Sequence, residues 1–307
     1  MGIPLSRIRS QLDRSDTKSR RSGGSGNSQK GGKFSPNSSG RRTANEPDTE
    51  HPIPAPLMEI DRLDVEHYLL QTARINKFYA PLDHPRRIID VGTGSGIWML
   101  EMAAEFPDCE FLGIDIIPIQ PTTTLPLNCQ FEVANALRGI PRPDGYFDYV
   151  YSRLLVAAIP KESWELYVSE CVRVCASGGW VEMVECDTRM YNSGVAGERL
   201  TEYMSVSLNA MGINPGTVLE LDRYMREAGL VDVHVKECAL PMGRWSVPAG
   251  DLAWRNSKPV YKSLAPIYMK ETGATQEEVD KIIDDAEEAF NKYQNYTGIR
   301  IAYGRKR

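Results

Sequence analysis

The stretch Arg87-Ile88-Ile89-Asp90-Val91-Gly92-Thr93-Gly94-Ser95-Gly96-Ile97-Trp98 constrains this chain more than any other. Ile88, Ile89 and Val91 are β-branched and apolar, the composition of a strand covered on both faces. Three glycines follow at once. Trp98, Met99, Leu100, Met102, Ala103 and Ala104 then make an apolar-rich helix that ends near Phe106-Pro107. A strand feeding a glycine turn and a helix points backbone N–H groups and a helix N-terminus at one spot. That spot favours an anionic or strongly hydrogen-bonding ligand.

The details of the turn narrow the ligand. A dinucleotide fingerprint, G-x-G-x-x-G, would place its third glycine at position 97. Ile97 stands there, and the third glycine comes one step early at Gly96. About twenty residues on, Phe111-Leu112-Gly113-Ile114 reads as a second strand closed by Asp115. An acid at that strand end can accept bonds from both hydroxyls of a ribose. The D-V-G-T-G-S-G turn and this acid resemble motifs I and II of class I S-adenosylmethionine-dependent methyltransferases. The other reading is a tight turn of some other α/β protein. Gly24-Ser25-Gly26 shows how easily G-x-G arises with no strand before it.

Composition sets the outer bounds. A chain of 307 residues with a 41% hydrophobic share has room for one large domain or two small ones. It holds no apolar run of eighteen residues and no apolar leader at the N-terminus, so neither a membrane span nor a secretory signal is expected. Its six cysteines form no C-x-x-C and no dense framework. Reduced thiols in a cytoplasmic protein, or alternatively a nuclear one, are the expectation. Four histidines with no i, i+4 pair give no metal signature. Residues 1–45 carry ten Lys or Arg and two Asp, a net +8, which leaves −13 of the overall −5 for the rest. So acidic a folded part argues against direct nucleic-acid binding.

Residues 1–55 are rich in Ser, Gly, Arg, Asn and Pro and poor in large apolar groups. A tail of that kind cannot offset its ordering entropy by burial, so it reads as a disordered basic segment. Arg20-Arg21 and Arg41-Arg42 suit a solvated spacer, or help with nuclear import or an acidic partner. Residues 56–307 are then one domain. From Glu59 to Tyr79 the pattern is helical, with Leu63, His67 and Leu70 on one face and Ile75, Phe78 and Tyr79 extending it. In this fold class such a helix lies over the cofactor as a lid. His67 is a weak candidate for a general base, and no catalytic residue can be named.

After Asp115 comes a proline-rich loop, Pro118 to Pro126. A third strand, Gln130–Val133, is closed by Ala134-Asn135-Ala136. Related methyltransferases carry an acid where Asn135 stands, and its side-chain oxygen can take the same bond from an adenine amino group. The fourth strand, Phe147–Tyr151, runs into Ser152 and Arg153 at the sheet edge where open α/β folds bind ligands. Arg153 is equally able to serve as a structural ion-pair partner. Trp164–Val174 is a helix stopped by Ser177-Gly178-Gly179, and Trp180–Glu185 is a fifth strand. The alternation of strands and helices to this point argues for a parallel, doubly wound sheet.

Helices are expected at 195–211 and 218–228, with a sixth strand at Val231–Val235. The first of these helices fits a substrate lid after strand 5, or plain packing on the sheet. Residues 241–274 bear prolines, glycines and aromatics and read as the wall of a pocket. Thr275-Gln276-Glu277-Glu278 is a capping box that opens a further helix. Ile299–Gly304 is a seventh, antiparallel strand. The expected architecture is an α/β, Rossmann-like, seven-stranded class I methyltransferase fold with insertions after strands 5 and 6.

Leu57–His67, the glycine turn, Gly113–Pro121, Asn128–Glu132, Phe147–Arg153 and Gly178–Glu182 follow the order and spacing of fungal LaeA-like methyltransferases, and the chain is similar to that family over most of residues 57–307. The resemblance implies S-adenosylmethionine as cofactor and a role in fungal secondary metabolism. It implies Asp90, Gly92, Thr93, Gly94, Gly96, Asp115, Ile116, Asn135, Ala136, Ser152 and Arg153 as cofactor-binding residues. It also implies one of two roles. The first is methylation of a small-molecule acceptor, on a hydroxyl or carboxyl oxygen. The second is nuclear regulation with velvet-type protein partners. An NAD-dependent enzyme is a third reading.

Overall fold

The computed structural model describes residues 56–121 and 125–307. The basic tail expected at 1–55 lies outside the described residues. Seven strands form one sheet: β1 (Arg87–Val91), β2 (Glu110–Asp115), β3 (Cys129–Val133), β4 (Phe147–Arg153), β5 (Cys175–Tyr191), β6 (Val231–Pro241) and β7 (Tyr296–Arg305). Their order is β3-β2-β1-β4-β5-β7-β6. The first five strands pair in parallel, and β7 is antiparallel to both β5 and β6.

Side chains along β1 alternate between the two faces of the sheet, as period two requires. Ile88 joins a core with Trp98, Met99, Tyr149 and Tyr151. Ile89 and Val91 join the opposite core, with Val150, Trp164, Val168 and Met225. Helices cover both faces, which is why β1 is apolar nearly throughout. On the Ile88 face lie α1 (Pro56–Thr72), α2 (Ile97–Glu105), α4 (Gly194–Ala210), α6 (Ala249–Ser263), α7 (Ala265–Thr272) and α8 (Gln276–Tyr293). On the other face lie α3 (Trp164–Val174) and α5 (Leu221–Glu227). The chain reverses from α2 into β2, and from α3 into β5, so each parallel strand starts from the same edge. All the C-terminal strand ends of the parallel set therefore gather at the opposite edge.

Several elements differ from their expected bounds. The first helix ends at Thr72, not Tyr79. Ile75 N–H closes on Leu70 O at 2.9 Å, and Arg74 takes a left-handed φ of 60°. The following segment is held by side chains instead: the amides of Tyr79 and Ala80 donate to the buried Glu182 carboxylate at 2.9 and 2.8 Å. β5 starts five residues before its expected core and ends six after it, and Ser177-Gly178-Gly179 lies inside it, where the register against β4 shifts. Residues 249–272, expected to wall a pocket, fold as α6 and α7 with Pro259 inside α6. A 3₁₀ turn, Pro215–Glu220, replaces the first part of the helix expected at 218–228. The capping box is present: Thr275 Oγ accepts from Glu278 N, and Thr275 N–H donates back to the Glu278 side chain. No helix among the described residues is long and apolar enough to cross a membrane.

Candidate active site

Local geometry at the end of β1 is set by three left-handed glycines, with φ of 72°, 57° and 79° at Gly92, Gly94 and Gly96. Side chains would strain this backbone. They would also collide: a Cβ on Gly92 would stand 2.5 Å from Leu155 Cδ2, and one on Gly94 3.1 Å from Leu63 Cδ1. The turn is anchored to β2 by Gly92 and Thr93 N–H groups donating to Ile114 O, at 2.8 and 3.0 Å. From beneath, Thr93 Oγ1 donates to the Asp90 carboxylate at 2.7 Å. Burial pushes the Asp90 carboxyl up to about 6, against the Thr93 bond and the charge of Arg153, which hold it down.

Asp115 ends β2 and faces the turn. Its Oδ2 accepts from Gly94 N–H at 2.9 Å and its Oδ1 from Ile117 N–H at 3.0 Å. An ionised carboxylate has about four acceptor positions, so two remain free. Gln120 completes the loop: its amide donates to Gly94 O at 2.8 Å and Ile117 O at 3.0 Å. The sequence gives little hint of this clamp beyond a lone amide between prolines and isoleucines.

The turn and Asp115 line one end of a cavity of about 280 Å³, close to the lower end of small-molecule pockets, roughly 300–1,000 Å³. Gly92, Thr93, Gly94, Ser95 and Asp115 form the turn side, and Arg153 stands at the end of β4. Helix α1 covers this end with Glu59, Arg62, Leu63 and Glu66. The far end is walled by α4, α6, β6 and β7 and is mostly apolar. Arg153 has no ion-pair or hydrogen-bond partner among the described residues, so its charge is available to the cavity. A second hollow, beside His84, Arg86 and Glu110, lies at the N-terminal ends of β1 and β2. That is the edge where open α/β sheets do not hold ligands.

The eleven residues expected at the cofactor fall into three groups. Gly92, Thr93, Gly94, Asp115 and Arg153 line the cavity. Asp90 and Gly96 support the turn from below, Gly96 closing on Thr93 O at 3.0 Å. Ile116, Asn135, Ala136 and Ser152 lie outside the cavity lining. Asn135 Oδ1 accepts from Leu137 N–H at 2.9 Å and caps a 3₁₀ turn, so one of its acceptor positions is already used. Ser152 is buried between Val91 and Met183. His67 is also absent from the lining. It is buried, 3.2 Å from Glu101 and 2.9 Å from the Gln71 amide. Burial holds it below the ordinary histidine range, so it packs as a neutral ring.

Two buried acids fix the cavity's surroundings. Glu185 of β5 accepts from the Leu155 and Val156 amides at 3.0 and 2.9 Å, pinning the loop after β4. Burial pushes its carboxyl up to about 8, and that of Glu182 up to about 7, while their backbone bonds pull the other way. Neither acid was singled out from the sequence, where both are simply members of the fifth strand.

A methyltransferase domain family matches residues 64–235, more than half of the chain. The chain belongs to that family. By fold and family it carries a class I S-adenosylmethionine-dependent methyltransferase domain of the LaeA-like group. It is 28% identical over 204 residues to the secondary metabolism regulator laeA of Aspergillus niger, covering 64% of this chain and 54% of that protein. It is 29% identical over 206 residues to methyltransferase pytC of Aspergillus terreus, covering 64% and 62%. The chain thus spans between half and two thirds of the length of these two relatives. Among solved structures it resembles a methyltransferase of Archaeoglobus fulgidus, with a TM-score of 0.48, 15% identity, and 81% and 98% of the two chains covered.

The family's cofactor is S-adenosylmethionine, and the residues present fit it. The turn presents Gly92, Thr93, Gly94 and Ser95 to the cavity, backbone that a ligand can approach closely. The carboxylate beside it keeps free acceptor positions for hydroxyls.

Proposed function

We propose that the protein transfers a methyl group from S-adenosylmethionine to an oxygen of a small-molecule acceptor. One observation carries this reading. A single cavity joins a glycine turn with a facing carboxylate to an apolar chamber, all beneath one helix. When bound, the cofactor supplies a methyl group on a positively charged sulfur. In this reading the backbone of Gly92–Gly96 holds its amino-acid end and Asp115 its ribose hydroxyls, and the adenine extends beyond the cavity lining toward Asn135–Ala136. Arg153 offers an unpaired cation to a carboxylate in the same cavity. Because the leaving sulfur becomes neutral, the protein's work is alignment and exclusion of water. Alignment alone can be worth roughly 7–11 kcal/mol of barrier. Helix α1 and Leu63 supply the exclusion by roofing the turn.

A second reading, nuclear regulation through protein methylation or complex formation, is supported by the regulators among the relatives. Deleting residues 1–55 separates the two. A small-molecule enzyme of cytoplasmic location keeps its full methyl transfer to extracted metabolites, followed with methyl-labelled cofactor. A regulator that depends on its tail loses localisation or partner capture. Unchanged transfer to protein and none to small molecules would discard the first reading.

A further inference from the structure

The cavity holds three carboxylates and no histidine or lysine. Two of the three are committed. Asp115 is pinned to two backbone amides. Glu59 is chelated by Arg62, with Nε to Oε2 at 3.0 Å and Nη2 to Oε1 at 2.7 Å. Glu66 is held only by Arg62 Nη1 at 3.3 Å on Oε1, and its Oε2 has no partner among the described residues. Two other ionisable groups in the lining cannot take a proton, since burial keeps the Tyr261 hydroxyl and the Cys186 thiol protonated. Glu66 lines the cavity together with Cys186 of β5. The charged or titratable groups around it are Arg62 and Glu59 on its own helix, Glu185 and Cys186 of β5, Arg153 of β4 and Asp115 of β2.

The other end of the cavity has a different chemistry. Met204 and Leu208 of α4, Leu240 of β6, Val260 of α6, Leu264 just after it and Ile299 of β7 wall it, with Asn256 and Ser257 of α6 and Thr297 of β7 as polar points among them. A surface of this kind selects an apolar body of one or two rings' size and offers little to a sugar or a charged amine.

We propose that the acceptor is a neutral apolar molecule bearing one acidic hydroxyl, a phenol or enol, and that Glu66 receives its proton. This rests on the reading above. The acceptor's O–H bond breaks and the proton passes to the Glu66 carboxylate. The oxygen's electron pair forms the new bond to the methyl carbon. The pair of the old carbon–sulfur bond stays with sulfur, which leaves as a neutral thioether. A hydroxyl facing a carboxylate is held by a charge-assisted hydrogen bond even before transfer, so the role is visible in binding alone.

The test is calorimetry on the full chain saturated with S-adenosylhomocysteine, using phenol, 2-naphthol and 2-methoxynaphthalene as probes. Wild-type protein should bind 2-naphthol about tenfold more tightly than phenol, from the added apolar area. Glu66→Gln exchanges a charged acceptor for a neutral one. It should weaken 2-naphthol about tenfold and leave 2-methoxynaphthalene unchanged, with a single cooperative thermal transition reporting an intact fold. Normal S-adenosylhomocysteine binding with no binding of either naphthalene, or with equal effects of Glu66→Gln on both, overturns this inference alone. If wild-type protein fails to bind S-adenosylhomocysteine, the reading beneath it falls and this inference falls with it.

Discussion

The buried acids of β5 predict how stability follows pH. A carboxyl whose folded value lies above its unfolded one binds more protons in the folded state, and stability falls as pH rises between the two values. Its contribution is whole below the unfolded value, near 4.3 for a glutamate, and is lost as pH passes the folded value. Glu185 is pushed up to about 8 and Glu182 to about 7, chiefly by burial. His67 is shifted the other way, and its neutral buried ring favours folding as pH climbs to about 6.5. Above that point the two acids act unopposed by it. One proton of difference is worth about 1.36 kcal/mol per pH unit, so Glu185 alone should cost about 2 kcal/mol between pH 6.5 and 8. For a domain of this size that lowers the melting temperature by roughly 4–8 °C. Differential scanning calorimetry at matched ionic strength measures it. In Glu185→Gln the decline should be much flatter, whatever the absolute melting temperature, because nothing is left at that position to titrate. A melting temperature that holds level or rises from pH 6.5 to 8, or a Glu185→Gln protein with the full decline, would refute the reasoning.

Two further outcomes follow from the turn. Gly92→Ala should destabilise by about 1–2 kcal/mol through its left-handed φ and by about 1–3 kcal/mol more through overpacking against Leu155. Pairing it with Leu155→Ala in a double-mutant cycle on chemical denaturation should recover the second part only, and strict additivity would mean the contact does not matter. Gln120→Ala removes two hydrogen bonds from the carbonyls of Gly94 and Ile117, each worth about 0.5–1.5 kcal/mol. It should lower the melting temperature by several degrees and weaken S-adenosylhomocysteine several-fold, and an unchanged affinity would show that the clamp does not shape the site.

The parts legible in the sequence were those whose cause is local. β1, its turn and Asp115 could be read because burial on two faces demands an apolar run, and a left-handed turn demands glycine. The capping box at Thr275 could be read for the same reason. What could not be read depends on distant partners. The first helix stops at Thr72 although its apolar pattern continues, because Tyr79 and Ala80 find Glu182 more than a hundred residues away. α6 tolerates Pro259 because its other side packs into the core through Ala253, Trp254 and Tyr261. β5 and β6 run past their alternating cores because β7 pairs with both along their length. Within the site, His67 drew notice as a histidine on an apolar face, yet it points away from the cavity. Glu66, one residue before it, was not among the candidates, yet it lines the cavity. The difference is about 100° of helix rotation, which a pattern with no known partner face cannot assign.

The claim on which the rest depends is that Asp115 and the glycine turn hold a nucleoside thioether. Titration calorimetry of S-adenosylhomocysteine against wild type and Asp115→Ala tests it most directly, with NAD as a control. Wild type should bind one equivalent. Asp115→Ala should lose at least about a hundredfold in affinity, the worth of two hydrogen bonds to a charged acceptor, and NAD should give no heat with either protein. Equal affinity in the two proteins, or binding of NAD in place of S-adenosylhomocysteine, would contradict the account.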